Sequence, residues 1–228
     1  MGLRTVECTS PDALFTAVYR ELFAPSFPPE ELESEAALAR ALHAGSASLF
    51  AVVDEAGGPV AAAFGEWSAA ARVQLLTYLA VGPAARGGGI GGRLLREAVR
   101  SWAARRDPCL VLAEIEDPDA PADEAHGDPR RRLAFYEAAG AKVLDVPYFQ
   151  PGIGGPGARV HGMLLLVLHA APQLTRGEAV DGGALRTFLE EYLEEAEGTI
   201  ARDEETAALF AALDRPGGVP MGHWRPGS

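Results

Sequence analysis

The chain has almost no lysine. Of its 20 basic residues only Lys142 is not an arginine, and 32 acidic residues oppose them, leaving a net charge of −12. A surface that acidic repels a polyphosphate strand, so nucleic-acid binding is excluded as an expectation. Cysteine is nearly as scarce. Cys8 and Cys109 are the only two, each in a stretch that reads as buried strand, so free buried thiols are expected rather than a disulfide or a reactive nucleophile. The histidines, His43, His126, His161, His169 and His223, are scattered without paired ligand spacing, which gives no metal site. No run reaches the ~18 apolar residues a membrane span needs. The N-terminal stretch is interrupted by Arg4, Glu7 and Asp12 and so lacks an apolar signal region. A cytoplasmic protein with no membrane partner is expected. At 228 residues it suits one domain of above-average size, or a domain with a C-terminal appendage.

What the chain does have is glycine in one place. A hydrophobic stretch, Leu75 to Val81, leads into Gly82-Pro83-Ala84-Ala85-Arg86-Gly87-Gly88-Gly89-Ile90-Gly91-Gly92, and an amphipathic helix follows. Its apolar stripe is Leu94, Leu95, Ala98, Val99 and Trp102, with Arg93, Arg96, Glu97 and Arg100 opposite, a 3.6-residue period. A glycine-rich turn can aim backbone N–H groups at an anion because no Cβ blocks the approach, and the helix start adds unpaired N–H groups and a positive dipole end. The segment therefore reads as a phosphate cradle.

Three ligand classes use such a turn. A Walker-type loop needs Lys-Ser/Thr after its last glycine, whereas Gly92 is followed by Arg93-Leu94. A dinucleotide fingerprint is matched literally by Gly87, Gly89 and Gly92, with Glu114 about 20 residues on. That fingerprint, however, puts its first glycine at the strand end, where this chain interposes Gly82 to Arg86, and a hairpin precedes the strand. The third form is Arg-x-x-Gly-x-Gly, spelled Arg86 to Gly91 after a strand ending Leu79-Ala80-Val81. In this form the segment resembles the acetyl-CoA-binding motif of the GNAT superfamily of N-acyltransferases. A second match lies some 50 residues downstream, where Arg132 to Ala141 is similar to that superfamily's helix carrying Phe135-Tyr136-Glu137 near its end.

The element pattern agrees. Leu3 to Thr9 reads as a strand, Ser10-Pro11-Asp12 caps a helix to about Phe23, and a second helix is expected from Glu30 to about Leu42. Ala47 to Asp54 and Val60 to Trp67 form a hairpin about Glu55 to Pro59, and Val73 to Val81 continues the meander. After the helix from Gly91 to Arg105, Pro108 stops the chain and Cys109 to Ile115 is a strand. Asp128-Pro129 then starts a helix to Ala139, closed by Gly140. Lys142 to Tyr148 and Val160 to His169 read as strands joined by a Gly-Pro-rich loop.

The resemblance implies a mixed α/β (α+β) fold with a mostly antiparallel central sheet of about seven strands, spanning residues 1–169. Residues 170–215 read as a C-terminal helical extension, with a stripe of Leu185, Phe188, Leu189, Tyr192 and Leu193 and a second helix from Asp203 to Leu213, packed on the core or on a partner chain. Homodimerisation is left open. Residues 216–228 read as a flexible tail.

By resemblance the chain is an acetyl-CoA-dependent N-acetyltransferase that acts on a primary amine of a small molecule. Main-chain groups of Leu79, Ala80 and Val81 would hold the pantetheine arm, and Arg86, Gly87, Gly88, Gly89, Ile90, Gly91 and Gly92 the pyrophosphate, helped by Arg93 or Arg96. Tyr136 is the candidate general acid for the departing thiolate. Superfamily members often have Asn seven residues before that tyrosine, and this chain has Pro129. Glu114, a carboxylate in an apolar strand that needs a partner, is the candidate general base or substrate anchor, in phase with Glu116. Glu116, Asp117, Asp119, Asp123 and Glu124 otherwise read as loop solvation, and Glu66 and Tyr78 as structural. Tyr148, Phe149 and Gln150 begin the loop expected to wall the acceptor pocket. No metal is implied. A non-catalytic CoA-binding or regulatory module and a dinucleotide-binding protein are the alternatives.

Overall fold

A computed structural model describes residues 2–29, 31–107, 109–120, 127–152 and 155–226. Glu30 as a helix start, Pro108 as a chain stop, and Asp123, Glu124 and His126 lie outside the described residues. The chain divides into two compact units, Met1–Trp67 with Leu75–Trp102, and Ser68–Gln74 with Ala103–Ser228. The architecture is mixed α/β, with mostly antiparallel sheet strands and flanking helices.

The first unit contains β1 (Arg4–Cys8), α1 (Ala13–Val18), α2 (Glu35–Ala44), β2 (Ala47–Val53) and, apart from Ser68, Val73–Gln74 and Ala103–Arg105 at their ends, β3 (Pro59–Ser68), β4 (Val73–Val81) and α3 (Ile90–Arg105). Its strands lie in the order β1-β2-β3-β4. β1 pairs antiparallel with β2 from Arg4↔Val53 to Cys8↔Leu49, and β2 pairs with β3 from Ala47↔Glu66. Capping fixes the helices locally. Asp12 accepts from the amides of Leu14 and Phe15, and Ser34 from that of Ala37. The first helix does not run on as α-helix to Phe23. It widens into a π-helical turn over Tyr19–Phe23, which brings Leu22 and Phe23 into the core with Phe15 and Val18. The second helix starts at Glu35, later than expected, because its cap is Ser34.

α3 buries the face its periodicity marks, Leu94, Leu95, Ala98 and Trp102. Trp102 is buried, meets Phe50 edge-on at 5.9 Å between ring centres, and donates its indole N–H to Ser48 Oγ. This anchor holds the far end of the helix whose start carries the glycine turn.

The second unit contains β5 (Leu110–Glu116), α4 (Pro129–Ala138), β6 (Lys142–Leu144), β7 (Met163–Ala170), β8 (Thr175–Arg176), β9 (Ala179–Val180), α5 (Gly182–Glu197), α6 (Glu204–Leu213) and β10 (Val219–Gly222). The strand order is β5-β7-β6-β10-β9-β8. β5 and β7 pair along their length, from Leu110↔Ala170 to Glu116↔Met163. Asp128 caps α4 with Pro129 at its first position, and Gly140 takes φ +93 just past its end.

Three features depart from the sequence expectation. The sheet strands number ten among the described residues rather than about seven. The excess is β8, β9 and β10, two to four residues each, too short to show periodicity. The stretch expected as a flexible tail instead supplies β10, whose Met221 pairs with Leu144 of β6 and whose Val219 pairs with Val180 of β9. Val219 is fully buried, and Gly217 and Gly218 at φ +95 and +94 make the turn that delivers it. β6 stops at Leu144 rather than Tyr148, since Pro147 cannot donate to a ladder. Pairing resumes only at an isolated Gln150↔Val160 bridge.

Both cysteines are free and buried. Among the described residues no helix is long and apolar enough to cross a membrane. Trp102→Ala is expected to destabilise the protein by about 3–5 kcal/mol, read as a lower urea midpoint with unchanged slope. An unaltered midpoint would remove Trp102 as the anchor of α3.

Candidate functional site

The turn after β4 is built for an anion. Val60 O accepts the Gly82 amide, a short 3-10 turn follows over Pro83–Ala85, and Gly87 and Gly89 adopt φ +81 and +72. Open space surrounds both glycines, so their requirement is conformational. Among the described residues the amides of Gly87, Gly88, Gly89, Ile90, Gly91 and Gly92 donate no hydrogen bond within the protein. Six consecutive amides at a helix start are thus open to a ligand or to water. Arg86 is exposed and turns its Nε back onto Val81 O at 3.1 Å, tying the turn to the end of β4 and leaving its two terminal nitrogens to solvent. In β4, Ala80 is buried while Leu79 and Val81 are half-buried.

Tyr78 and Glu66, the lesser candidates for the base, are each hydrogen-bonded within the first unit. Tyr78 is buried, donates to Glu31 O and accepts from the Glu33 amide, and burial raises its phenol well above the ordinary value. Glu66 accepts from Thr77 Oγ1 at 2.8 Å.

In the second unit Glu114 gathers the donors its position demands. It sits half-buried on β5 among buried Leu112, Ala113 and Ile115. Tyr148 Oη donates to Oε1, while Gln150 Nε2 and Tyr192 Oη each donate to Oε2 at 3.3 Å. Tyr148 is buried, and desolvation first, then the Glu114 charge, push its phenol well above the ordinary value, so it stays a donor. Glu116, in phase with Glu114 on the same strand, is engaged by Arg132 of α4. Asp117 accepts from the Asp119 amide and from Trp224 Nε1.

Tyr136 is buried on α4, edge-on to Phe135 at 5.1 Å. Its hydroxyl has no hydrogen-bond partner among the described residues. Burial pushes its pKa up to about 12, with Arg132 working in the other direction.

The sequence profile of the acetyltransferase (GNAT) domain family matches residues 46–140, a span that runs from β2 through the glycine turn to the end of α4. The chain carries a GNAT acetyltransferase domain. Solved structures share the fold of the longer chain. A GNAT-family protein from Bacteroides thetaiotaomicron aligns at 21% identity over 83% of this chain and 98% of its own, with a TM-score of 0.58. An aminoglycoside 6′-N-acetyltransferase complexed with coenzyme A aligns at 16% identity over 74% and 99%, with a TM-score of 0.55. A GNAT superfamily phosphinothricin acetyltransferase from Sinorhizobium meliloti in complex with acetyl-CoA aligns at 20% identity over 79% and 96%, with a TM-score of 0.53. Comparison with curated proteins gives no sequence match.

Outside the matched span of the GNAT domain lies a polar cluster that sequence reasoning missed. Arg159, in the loop after Gln150, has a side chain 2% exposed and binds Glu197 at the end of α5 through Nε at 2.7 Å and Nη2 at 2.9 Å. It also reaches Asp203 at 2.9 Å and Thr206 at 3.0 Å, and its guanidinium lies 4.1 Å over the Phe149 ring. The Glu197 side chain is fully buried. Such a pair survives only with near-complete hydrogen bonding, which this fork geometry provides. The cluster fixes the ends of α5 and α6 to the segment that carries Tyr148 and Gln150. Tyr192 was equally invisible. Four residues after Phe188, it reads as core, and nothing local shows that its hydroxyl meets Glu114.

The Asp203 carboxyl is held below its ordinary value, first by the Thr206 amide and then by the Thr206 hydroxyl and Arg159, against the cost of burial. A depressed folded value means stability present above the unfolded value of 3.8 and lost as pH falls through the folded one. The carboxyl is 39% exposed, so solvent screens much of this. Wild type is therefore expected to melt above Asp203→Asn at neutral pH, the gap closing as pH drops below about 4. A gap independent of pH would remove the ionic role.

Proposed function

We propose that the protein transfers an acetyl group from acetyl-CoA to a primary amine of a small molecule by direct attack in a ternary complex, acting in the cytoplasm. The observation that carries this is the row of six amides from Gly87 to Gly92, unpartnered among the described residues, within the span matched to a GNAT domain. Such a row fits a pyrophosphate, and the free terminal nitrogens of Arg86 add positive charge beside it. Main-chain groups of Leu79, Ala80 and Val81 hold the pantetheine arm. Two solved neighbours of the same fold are described with coenzyme A or acetyl-CoA bound, which supports the choice of donor.

Glu114 receives the proton of the amine, directly or through water. The amine nitrogen then attacks the thioester carbonyl carbon, the C–N bond forms and the C–S bond breaks, giving an amide and CoA thiolate. Tyr136 is the general acid that returns a proton to the departing thiolate. Burial raises its phenol to about 12, so it stays protonated until the sulfur leaves. No cysteine takes part, since burial raises both thiols above their ordinary value.

Acetyl-CoA, and not NAD, is expected to raise the melting temperature, because only a ligand of the native state stabilises it. With a panel of amines, CoA release in Tyr136→Phe is expected to fall about 100-fold and in Glu114→Gln by at least that factor. Full turnover in both variants would overturn these roles. Stabilisation by acetyl-CoA with no turnover of any amine would make the chain a CoA-binding module instead.

A further inference from the structure

The chain after β6 lies beyond the residues matched to the GNAT domain, yet Tyr148 and Gln150 of that stretch both donate to Glu114. The residue between them, Phe149, is buried with the Arg159 guanidinium 4.1 Å over its ring. Immediately after Arg159, Val160 exchanges both backbone hydrogen bonds with Gln150, at 2.9 and 3.0 Å. Arg159 thus meets the segment by its side chain at Phe149 and, through the next residue, by the backbone at Gln150. The guanidinium is itself gripped. Glu197 takes Nε and Nη2, Asp203 takes Nη1, Thr206 takes Nη2, and a Glu205 oxygen lies 3.5 Å from Nη1. A cation held at its edge by groups of α5 and α6 has one plane, and a ring stacked on that plane takes its tilt from it.

We propose that Arg159 is a positioning residue for the acceptor side of the reaction: clamped by Glu197, it orients Phe149 and thereby the Tyr148 and Gln150 donors on Glu114. This rests on the reading of Glu114 as the group that meets the amine. A purely stabilising role is the ordinary alternative for a buried ion pair. Taking two charges out of water costs about what their attraction returns, however, so an apolar pair of similar volume is commonly as stable. What the apolar pair lacks is direction. An aliphatic side chain packs against a ring in many orientations, whereas a guanidinium in a carboxylate fork is held in one. Donation to Glu114 needs that direction, since a hydrogen bond weakens steeply as its donor turns away. The C-terminal extension therefore acts on the amine through the segment from Tyr148 to Gln150.

The experiment compares the full chain with Arg159→Met/Glu197→Leu, which removes both charges together and leaves neither unpaired. The chain has no asparagine, and its glutamines are Gln74, Gln150 and Gln173. Its carboxamide NH2 signals in a 15N–1H NMR spectrum therefore come from these alone, and the Gln150 pair is identified by its loss in Gln150→Met. In the double variant the urea midpoint is expected to stay at or above that of wild type. The Gln150 signals move to the position of a free side-chain amide, while those of Gln74 and Gln173 stay. The kcat/KM for the amine falls about tenfold, and the KM for acetyl-CoA and the stabilisation by acetyl-CoA keep their wild-type values. Phe149→Leu, which leaves the ion pair whole, is expected to move the Gln150 signals in the same way. A double variant that does not fold makes the pair a stabilising device and overturns the proposal. So do unmoved Gln150 signals in either variant, or an unchanged kcat/KM for the amine where they have moved. If wild type turns over no amine, the acetyl-transfer reading falls, and the Gln150 signals still decide the part of Arg159.

Discussion

A carboxylate on an apolar strand must find hydrogen-bond donors or lose its charge, and the arrangement of the second unit follows from how Glu114 meets that demand. Its own strand offers nothing, since Leu112, Ala113 and Ile115 are buried and apolar. The donors come from residues 34 to 78 positions away in the chain. Each must be delivered by an element that is itself held. The segment with Tyr148 and Gln150 is pinned by the Gln150↔Val160 bridge, and α5 by its ends.

The second constraint supports the first. Arg159 is a buried cation that would be strongly unfavourable alone, and its fork is filled by Glu197 and extended to Asp203 and Thr206. Because Phe149 lies under the guanidinium, between Tyr148 and Gln150 in sequence, the ion pair orders the same short segment that feeds Glu114. The extension is thereby part of the unit that holds the carboxylate.

In the first unit the dominating constraint is conformational. Gly87 and Gly89 hold positive φ in a turn whose amides from Gly87 to Gly92 find no partner among the described residues. An arrangement of that kind is stable at a surface because water can satisfy it, and it becomes selective when an anion replaces the water. Trp102 secures α3 at the other end through Phe50 and Ser48, so that the turn is carried by a fixed helix.

Much of this was legible in the sequence. The glycine turn, the α3 stripe, the α4 cap at Asp128 and its stop at Gly140, and the six strands of five or more residues are local features, written in residues within a few positions of one another, and they fall where the spacing puts them. Glu114 was also legible as a carboxylate out of place, though its partners were not. The short strands β8, β9 and β10 escaped because two to four residues carry no period, and a Gly-Pro-rich stretch reads as loop even where Val219 is buried in a sheet. The identities of Tyr192, Arg159 and Glu197 as polar anchors could be decided only by tertiary structure. Each looks like an ordinary helix or loop residue to its neighbours in sequence, and its chemistry exists only because folding brings a charge or a donor from tens of residues away and excludes water between them. The sequence by itself determined the glycine turn and the match to the GNAT domain over residues 46–140, since both rest on local features of the chain. The folded chain decided what surrounds the carboxylate, since that is a contact between distant segments.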